Sequence, residues 1–201
     1  MGVLFFVTGG ARSGKSRFAV RLAEAEAQRG RTVVFVATME ALDDELTARV
    51  ARHRAERPKG WRTVEAPLSP VPALAGAPGD ACVLIDCLSL WLSNLLLAAL
   101  EAEPPSDGGA PAESIGPRAR GHLESRLDAE IGALLATIAR HAGPTIVVSN
   151  EVGGGVVPPT ALGRLFRDAM GTLNQRVAGT ADRAWLLVAG RALELPPAGA
   201  P

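Results

Sequence analysis

Short runs of apolar residues alternate along this chain with longer amphipathic segments. The apolar runs are VLFFV at 3–7, VVFVA at 33–37, CVLID at 82–86, TIVVS at 145–149 and AWLLVAG at 184–190. Runs of this length with almost no polar positions are typical of strands buried on both faces of a sheet. RTVEA at 62–66 predicts a further short strand.

Between these runs the apolar positions recur at helical spacing. Helices are predicted at 15–28, ended by Gly30, at 42–58, at 88–100, over the repeat from Leu123 to Ile138, and at 160–178. Strands that alternate with helices predict an α/β fold, with a mostly parallel sheet and helices on both faces. One domain of residues 1–201 is expected, with a flexible, Pro- and Gly-rich loop at 101–120.

Composition excludes several classes of protein. The formal net charge is zero, so nucleic acid is not an expected partner. The apolar helix at 88–100 is shorter than the ~20 residues that a membrane span needs. The N-terminus lacks the features of a signal peptide, and Cys82 and Cys87 are expected to be buried, unpaired thiols. We therefore expect a cytoplasmic protein without a membrane span.

A phosphate-binding motif directly follows the first apolar run. GGARSGKS at 9–16 satisfies the P-loop pattern G-x-x-x-x-G-K-[ST]. The glycines let the backbone curl so that N–H groups point at phosphate oxygens, and the helix that follows adds the positive end of its dipole. Its expected nucleotide contacts are Gly9, Gly10, Ala11, Arg12, Ser13, Gly14, Lys15 and Ser16. The fold class is therefore a P-loop NTPase of the RecA-like type.

Lys15 is one of only two lysines among 21 basic residues, and the other 19 are arginine. A compact ammonium suits the outer phosphates of a nucleotide better than a planar guanidinium does, which explains a lysine here. Ser16 offers a hydroxyl to Mg²⁺, and Asp86, at the end of its strand, is expected to help hold the ion. A helix cap is the alternative role for Asp86.

Two further pairs of polar residues lie near predicted element ends. Asn150 and Glu151 follow the fourth apolar run, so they are expected either to face the nucleotide cleft or to cap a helix. Arg164 and Asp168 stand four residues apart on a predicted helix, with Arg167 on the same face. This spacing favours a surface ion pair, and contact with substrate or with a neighbouring subunit is the alternative.

His53 lies within a basic segment that contains arginines 49, 52, 54 and 57. On a helix, Arg49, His53 and Arg57 share one stripe. Nearby cations would keep the imidazole neutral and could attract phosphate, as covalent catalysis at phosphorus requires. Periodicity alone favours the simpler interpretation, a solvated basic helix face.

Resemblance to a known family favours the catalytic interpretation. VTGGARSGKS at 7–16, the stretch from Asp43 through HRAERP to WRT at 61–63, and NEVGGGVVPP with the following LGRLFRDAMGTLNQ resemble the bifunctional adenosylcobinamide kinase / adenosylcobinamide-phosphate guanylyltransferase family of cobalamin biosynthesis. The similarity covers most of the chain except 101–120 and the last few residues.

The resemblance implies an enzyme that phosphorylates adenosylcobinamide with ATP or GTP and then transfers GMP from GTP to adenosylcobinamide phosphate. The transfer would pass through a guanylyl-histidine at His53, with release of pyrophosphate, and the family forms trimers. Beyond the P-loop, the residues that the resemblance places at the nucleotide are Ala37, Thr38, Met39, Arg54, Ala55, Glu56, Arg57, Glu65 and Asp86.

Some relatives carry two adjacent histidines where this chain has Arg52 and His53, which leaves His53 as the one candidate nucleophile. Others carry glutamate in place of Asp86. Two alternatives stay open at this stage, a monofunctional small-molecule kinase and a RecA-like nucleotide switch or ATPase without transferase activity.

Overall fold

Strands form the framework of the molecule. The computed structural model describes residues 2–39, 58, 60–102 and 117–199. The strands are β1 (Leu4–Gly9), β2 (Val33–Ala37), β3 (Arg62–Glu65), β4 (Cys82–Asp86), β5 (Thr145–Val148), β6 (Arg183–Val188) and β7 (Arg191–Leu195).

These strands form a single sheet in the order β3-β2-β4-β5-β1-β6-β7. Neighbouring strands pair in parallel, except that β7 pairs antiparallel with β6. A two-residue turn at Ala189 and Gly190, both with positive φ, joins β6 to β7. Such a tight turn can connect only antiparallel strands, so the sheet is parallel apart from this edge.

Helices cover both faces of the sheet. They are α1 (Lys15–Gln28), α2 (Val71–Ala75), α3 (Leu88–Ala102), α4 (Pro117–Arg140) and α5 (Ala161–Thr180). Alternate strand residues point to opposite faces: Val33 and Phe35 pack in the cluster that contains α1. Val34 and Val36 pack in the larger cluster with α3, α4 and α5. Within the described ranges no helix is long and apolar enough to cross a membrane.

Most of the predicted elements are confirmed, and several of their boundaries differ by a few residues. Helix α3 extends to Ala102 and α4 begins at Pro117, so both ends of the predicted loop at 101–120 are helical. Proline suits the first turn of a helix because its missing N–H would have no partner there. The sequence patterns missed α2 and β7, and the helix predicted at 42–58 falls almost wholly outside the described residues.

The register of the sheet positions the carboxyl ends of its strands. Ala37 is paired with both Glu65 and Asp86. Asp86 is paired with Val148, and Val148 with Val7. The carboxyl ends of β3, β2 and β4 therefore lie in one row across the sheet. This row continues through β5 to β1, after which the chain enters the P-loop. Strand β5 separates β4 from β1, which places Asp86 two strands, about 10 Å, from the first strand.

Candidate nucleotide-binding site

Steric limits define the path of the loop between β1 and α1. Gly9, Arg12 and Gly14 have positive φ values of 155°, 57° and 94°. A Cβ on Gly9 would lie 2.5 Å from the carbonyl oxygen of Leu187 and 2.7 Å from the Oγ of Ser13. Real Cβ atoms do not approach so closely. The loop can therefore follow this path only with glycine at position 9.

The loop is held in place by its neighbours. Gly190, in the β6–β7 turn, donates its N–H to the Ser13 carbonyl at 2.9 Å, and the N–H of Glu151 donates to the Gly9 carbonyl at 3.1 Å. Within the loop, the Ser13 N–H donates to the Gly10 carbonyl at 3.2 Å. Because its carbonyl groups bond to the protein, the curvature of the loop is fixed from the outside. This arrangement can present backbone N–H groups to an anion.

Lys15 folds back over the loop. Its Nζ donates to the carbonyl of Gly10 at 3.2 Å. Helix α1 begins at Lys15, and its N-cap, Gly14, provides no side-chain hydrogen bond. Gly10, Ala11 and Arg12 are exposed, and Ser16 is half-buried in the first turn of α1. The positive helix end, the ammonium and the open loop thus lie together, as phosphate binding requires.

Three predicted contacts line the other part of the carboxyl edge. Glu65, Ala37 and Asp86 lie side by side on β3, β2 and β4. Glu65 is exposed and Asp86 is half-buried. A hydroxyl from Ser16 and a carboxylate from Asp86 are the hard oxygen ligands that Mg²⁺ prefers, with water and phosphate supplying the rest, so the donor chemistry of these residues fits the ion.

Thr38 makes contacts that differ from the expected one. Its side chain is fully buried. Its Oγ1 donates to the Cys87 carbonyl at 2.7 Å and accepts from the Cys87 N–H at 2.8 Å. Because this hydroxyl bonds within the protein as both donor and acceptor, direct contact between the Thr38 side chain and a nucleotide is disfavoured. The neighbouring Met39 is half-buried.

Asn150 and Glu151 differ in their surroundings. Asn150 donates its Nδ2 to the Ser89 Oγ at 2.6 Å, which connects the end of β5 to the first turn of α3. Exposed Glu151 accepts the Gly153 N–H at 2.7 Å through Oε1. Asn174, from α5, completes the polar group by accepting from the Ser149 Oγ at 2.6 Å and donating to the Asn150 carbonyl at 3.0 Å.

Both cysteines are buried and unpaired, as predicted. Burial is the main cause that raises the pKa of Cys82, to about 12. Burial also raises the pKa of Cys87, and the charge of neighbouring Asp86 adds to this effect. Both thiols are therefore protonated at neutral pH, and neither is a competent nucleophile there.

The basic segment predicted to act in catalysis falls outside the described residues. This applies to His53, Arg54, Ala55, Glu56 and Arg57. The structure therefore places Glu65, Ala37 and Asp86 side by side on the same carboxyl edge of the sheet as the P-loop, with β5 between Asp86 and β1. It leaves the position of His53 relative to this edge as a prediction.

The sequence signals missed Ser89, Asn94 and Asn174 as partners of the residues at this edge. Ser89 and Asn94 are polar residues of the mainly apolar helix α3, and Asn174 stands among other polar residues of α5. In isolation, such a residue is indistinguishable from a solvent-facing one.

Comparison with known proteins agrees with the assignment of this edge of the sheet as a nucleotide-binding site. A family model described as cobinamide kinase / cobinamide phosphate guanyltransferase matches residues 5–195. A relative from Pseudomonas aeruginosa, named bifunctional adenosylcobalamin biosynthesis protein CobP, is 42% identical over 196 residues, covering 97% of each chain. The protein named bifunctional adenosylcobalamin biosynthesis protein CobU is 39% identical in Salmonella typhimurium, over 94% of this chain and 97% of the relative.

A solved structure supports the fold independently. The flagellar accessory protein FlaH from Methanocaldococcus jannaschii superposes with a TM-score of 0.50 at 12% identity, over 98% of this chain and 79% of that one. At this identity the likeness concerns the RecA-like P-loop fold alone. The near full-length family match, by contrast, includes the P-loop motif at residues 9–16. The chain belongs to the cobinamide kinase / cobinamide phosphate guanyltransferase family.

Proposed function

We propose that this protein phosphorylates adenosylcobinamide with ATP or GTP and then transfers GMP from GTP to the product, adenosylcobinamide phosphate. The observation that carries the proposal is the braced P-loop with Lys15 folded over it, in a chain whose family match spans residues 5–195. By the same resemblance we propose a homotrimer that works in the cytoplasm, with the chain acting as one domain.

In the kinase step the protein mainly supplies position and charge. The loop from Gly9 to Ser16 would hold the triphosphate through its backbone N–H groups. Lys15 would neutralise charge on the outer phosphates while the terminal phosphoryl group passes to the corrinoid hydroxyl. Ser16 and Asp86 would hold Mg²⁺, which when bound offsets the negative charge of the phosphates.

In the transfer step His53 would be the nucleophile. A ring nitrogen of His53 attacks the α-phosphorus of GTP, a P–N bond forms, and the bond to the bridging oxygen breaks to release pyrophosphate. A phosphate oxygen of adenosylcobinamide phosphate then attacks the same phosphorus, the P–N bond breaks, and the imidazole is regenerated. Arginines 54 and 57 would stabilise the charge that develops on the phosphate oxygens.

The test of this proposal uses GTP labelled at the α-phosphate. The native protein should retain an acid-labile label after denaturation and gel separation. His53→Ala should retain none, yet should still phosphorylate adenosylcobinamide, because the first step does not use the imidazole. His122→Ala is the matched control, since His122 lies exposed on α4 and the proposed mechanism assigns it no role in either step.

Each outcome distinguishes one function from another. Label on His53→Ala would exclude His53 as the nucleophile. A native protein that phosphorylates adenosylcobinamide but never becomes labelled would be a monofunctional kinase. Nucleotide binding with neither phosphorylation nor label would favour a nucleotide switch.

A further inference from the structure

The turn between β6 and β7, at Ala189 and Gly190, lies against the P-loop. Gly190 donates its N–H to the Ser13 carbonyl at 2.9 Å. A Cβ built on Gly14 would lie 3.3 Å from the Cα of Gly190. The backbone of the turn therefore contacts the last residues of the loop before α1. Side chains that flank this turn lie next to any phosphate chain held in the loop.

Two exposed side chains flank the turn at the carboxyl edge of the sheet. Val188, the last residue of β6, is 61% exposed, and Arg191, the first residue of β7, is also exposed. They are partners in the antiparallel register, so their side chains lie on the same face of the hairpin. Within the described part of the chain, the guanidinium of Arg191 forms no hydrogen bond or ion pair. An aliphatic surface and a cation thus stand together beside the P-loop.

The two sides of the P-loop differ in the strands that follow. On one side lie β5 and then β4, which ends in Asp86, the residue proposed to hold Mg²⁺ together with Ser16. On the other side lie β6 and β7. The metal ion of a P-loop site bridges the two outer phosphates, so the outer end of a bound triphosphate points towards β4. The nucleoside is attached at the inner end, which then points towards the β6–β7 turn.

From this geometry we propose that the β6–β7 turn, with Val188 and Arg191, is the subsite for the nucleoside of the phosphoryl donor in the kinase step. The base would pack on the side chain of Val188, and the planar guanidinium of Arg191 would stack on the face of the purine. Neither contact reads the polar edge of a base, which suits a donor that is either ATP or GTP. This inference rests on the proposed function, because it requires a triphosphate in the P-loop.

The test compares ATP with inorganic triphosphate, a probe that carries the phosphates but no nucleoside. Both are titrated with Mg²⁺ into the native protein, Arg191→Ala and Val188→Ser, and calorimetry gives the affinities. In each variant the ratio of ATP affinity to triphosphate affinity should fall about two- to fivefold, as expected when one exposed contact with an aromatic ring is lost. Val188→Ser changes no charge, so its affinity for inorganic triphosphate should stay native.

Leu193→Ser is the matched control for Val188→Ser. Leu193 is also 61% exposed and lies on the same face of the hairpin, two residues, about 7 Å, further from the turn than Arg191. It should keep the native ratio. A native ratio in both Arg191→Ala and Val188→Ser would overturn the inference. So would an equal fall in the ratio for Leu193→Ser, because the effect would then come from disturbance of the hairpin.

Kinetics of the phosphorylation step give a second measurement. In Arg191→Ala the KM for ATP should rise by a similar factor of about two to five, while kcat stays near native. The nucleoside contacts are made equally in the ground state and the transition state, so their loss affects binding alone. A fall in kcat with an unchanged KM would contradict a nucleoside subsite.

The binding experiment needs neither adenosylcobinamide nor His53, so failure of this inference is distinguishable from failure of the proposed function. If the ratio stays native in both variants while the native protein phosphorylates adenosylcobinamide, only the nucleoside subsite is wrong. If the native protein binds neither ATP nor inorganic triphosphate, the proposed function itself is wrong.

Discussion

Gly9 and Gly10 stand next to each other in the P-loop but meet different constraints. Gly9 is buried, has φ of 155°, and faces the Leu187 carbonyl across the sheet. Gly10 is exposed, and a Cβ built on it would meet nothing within 4 Å. The P-loop pattern counts only the first of these glycines, and the structure supplies the reason, because at Gly9 the backbone has no room for a side chain.

This contrast predicts different outcomes for two alanine substitutions. Gly9→Ala should destabilise the protein by about 2–4 kcal/mol, since alanine is strained at this φ and the loop must shift away from β6. It should also weaken ATP binding. Gly10→Ala should keep nearly native stability. Urea unfolding and ATP titration of both variants measure the difference, and equal stability of the two would contradict the steric account.

The N-terminus of α5 is held by hydrogen bonds among the residues next to it. Thr160 is the N-cap residue, and its Oγ1 accepts the Gly163 N–H at 3.1 Å. Arg164 donates to the carbonyls of Pro158 and Pro159, at 3.2 Å and 2.6 Å. The ion pair expected between Arg164 and Asp168 from their spacing is replaced by these backbone bonds, while Asp168 contacts Arg167 at 3.4 Å.

At this scale we expect Thr160→Ala to reduce the free energy of unfolding by about 1 kcal/mol, because one N–H at the helix start loses its acceptor. Thr160→Ser keeps the hydroxyl and serves as the matched control, with stability close to native. Urea denaturation followed by circular dichroism is the measurement. An alanine variant as stable as the serine variant would show that the cap contributes nothing.

At the scale of the whole molecule, burial of the sheet between its helical layers affects how the stability of the protein depends on pH. Cys82, at the start of β4, is fully buried between its neighbours. Burial raises its pKa from 9.0 to about 12. Folding therefore keeps a proton on this thiol that the unfolded chain releases at lower pH.

The sign of the resulting pH dependence follows from linkage. Below pH 9 the thiol is protonated in both states, and its contribution to stability is fully present. Between pH 9 and about 12 the unfolded state loses the proton first, so stability should fall by up to roughly 1.4 kcal/mol per pH unit. Unfolding midpoints at a series of alkaline pH values should fall less steeply for Cys82→Ala than for the native protein. Parallel slopes would contradict the assignment to Cys82.

The sequence by itself determined the local parts of this protein. The runs at 33–37, 82–86 and 145–149 predicted β2, β4 and β5 because strands buried on both faces have almost no polar positions. The pattern from Gly9 to Ser16 predicted the phosphate-binding loop. This prediction was also local, since the glycines and the lysine of the motif lie within a few residues of one another. Family membership, now shown, was also visible in motifs that are contiguous in the chain.

Tertiary structure alone decided the features that depend on distant partners. Strand β7 has mostly exposed residues and forms because the turn at Ala189 and Gly190 returns the chain to β6. Asn94 meets Thr38 across 56 positions of sequence, and no local pattern encodes that distance. A buried polar side chain must find a hydrogen-bond partner wherever the fold places one, and only the packing of α3 against the sheet determines which backbone groups those are.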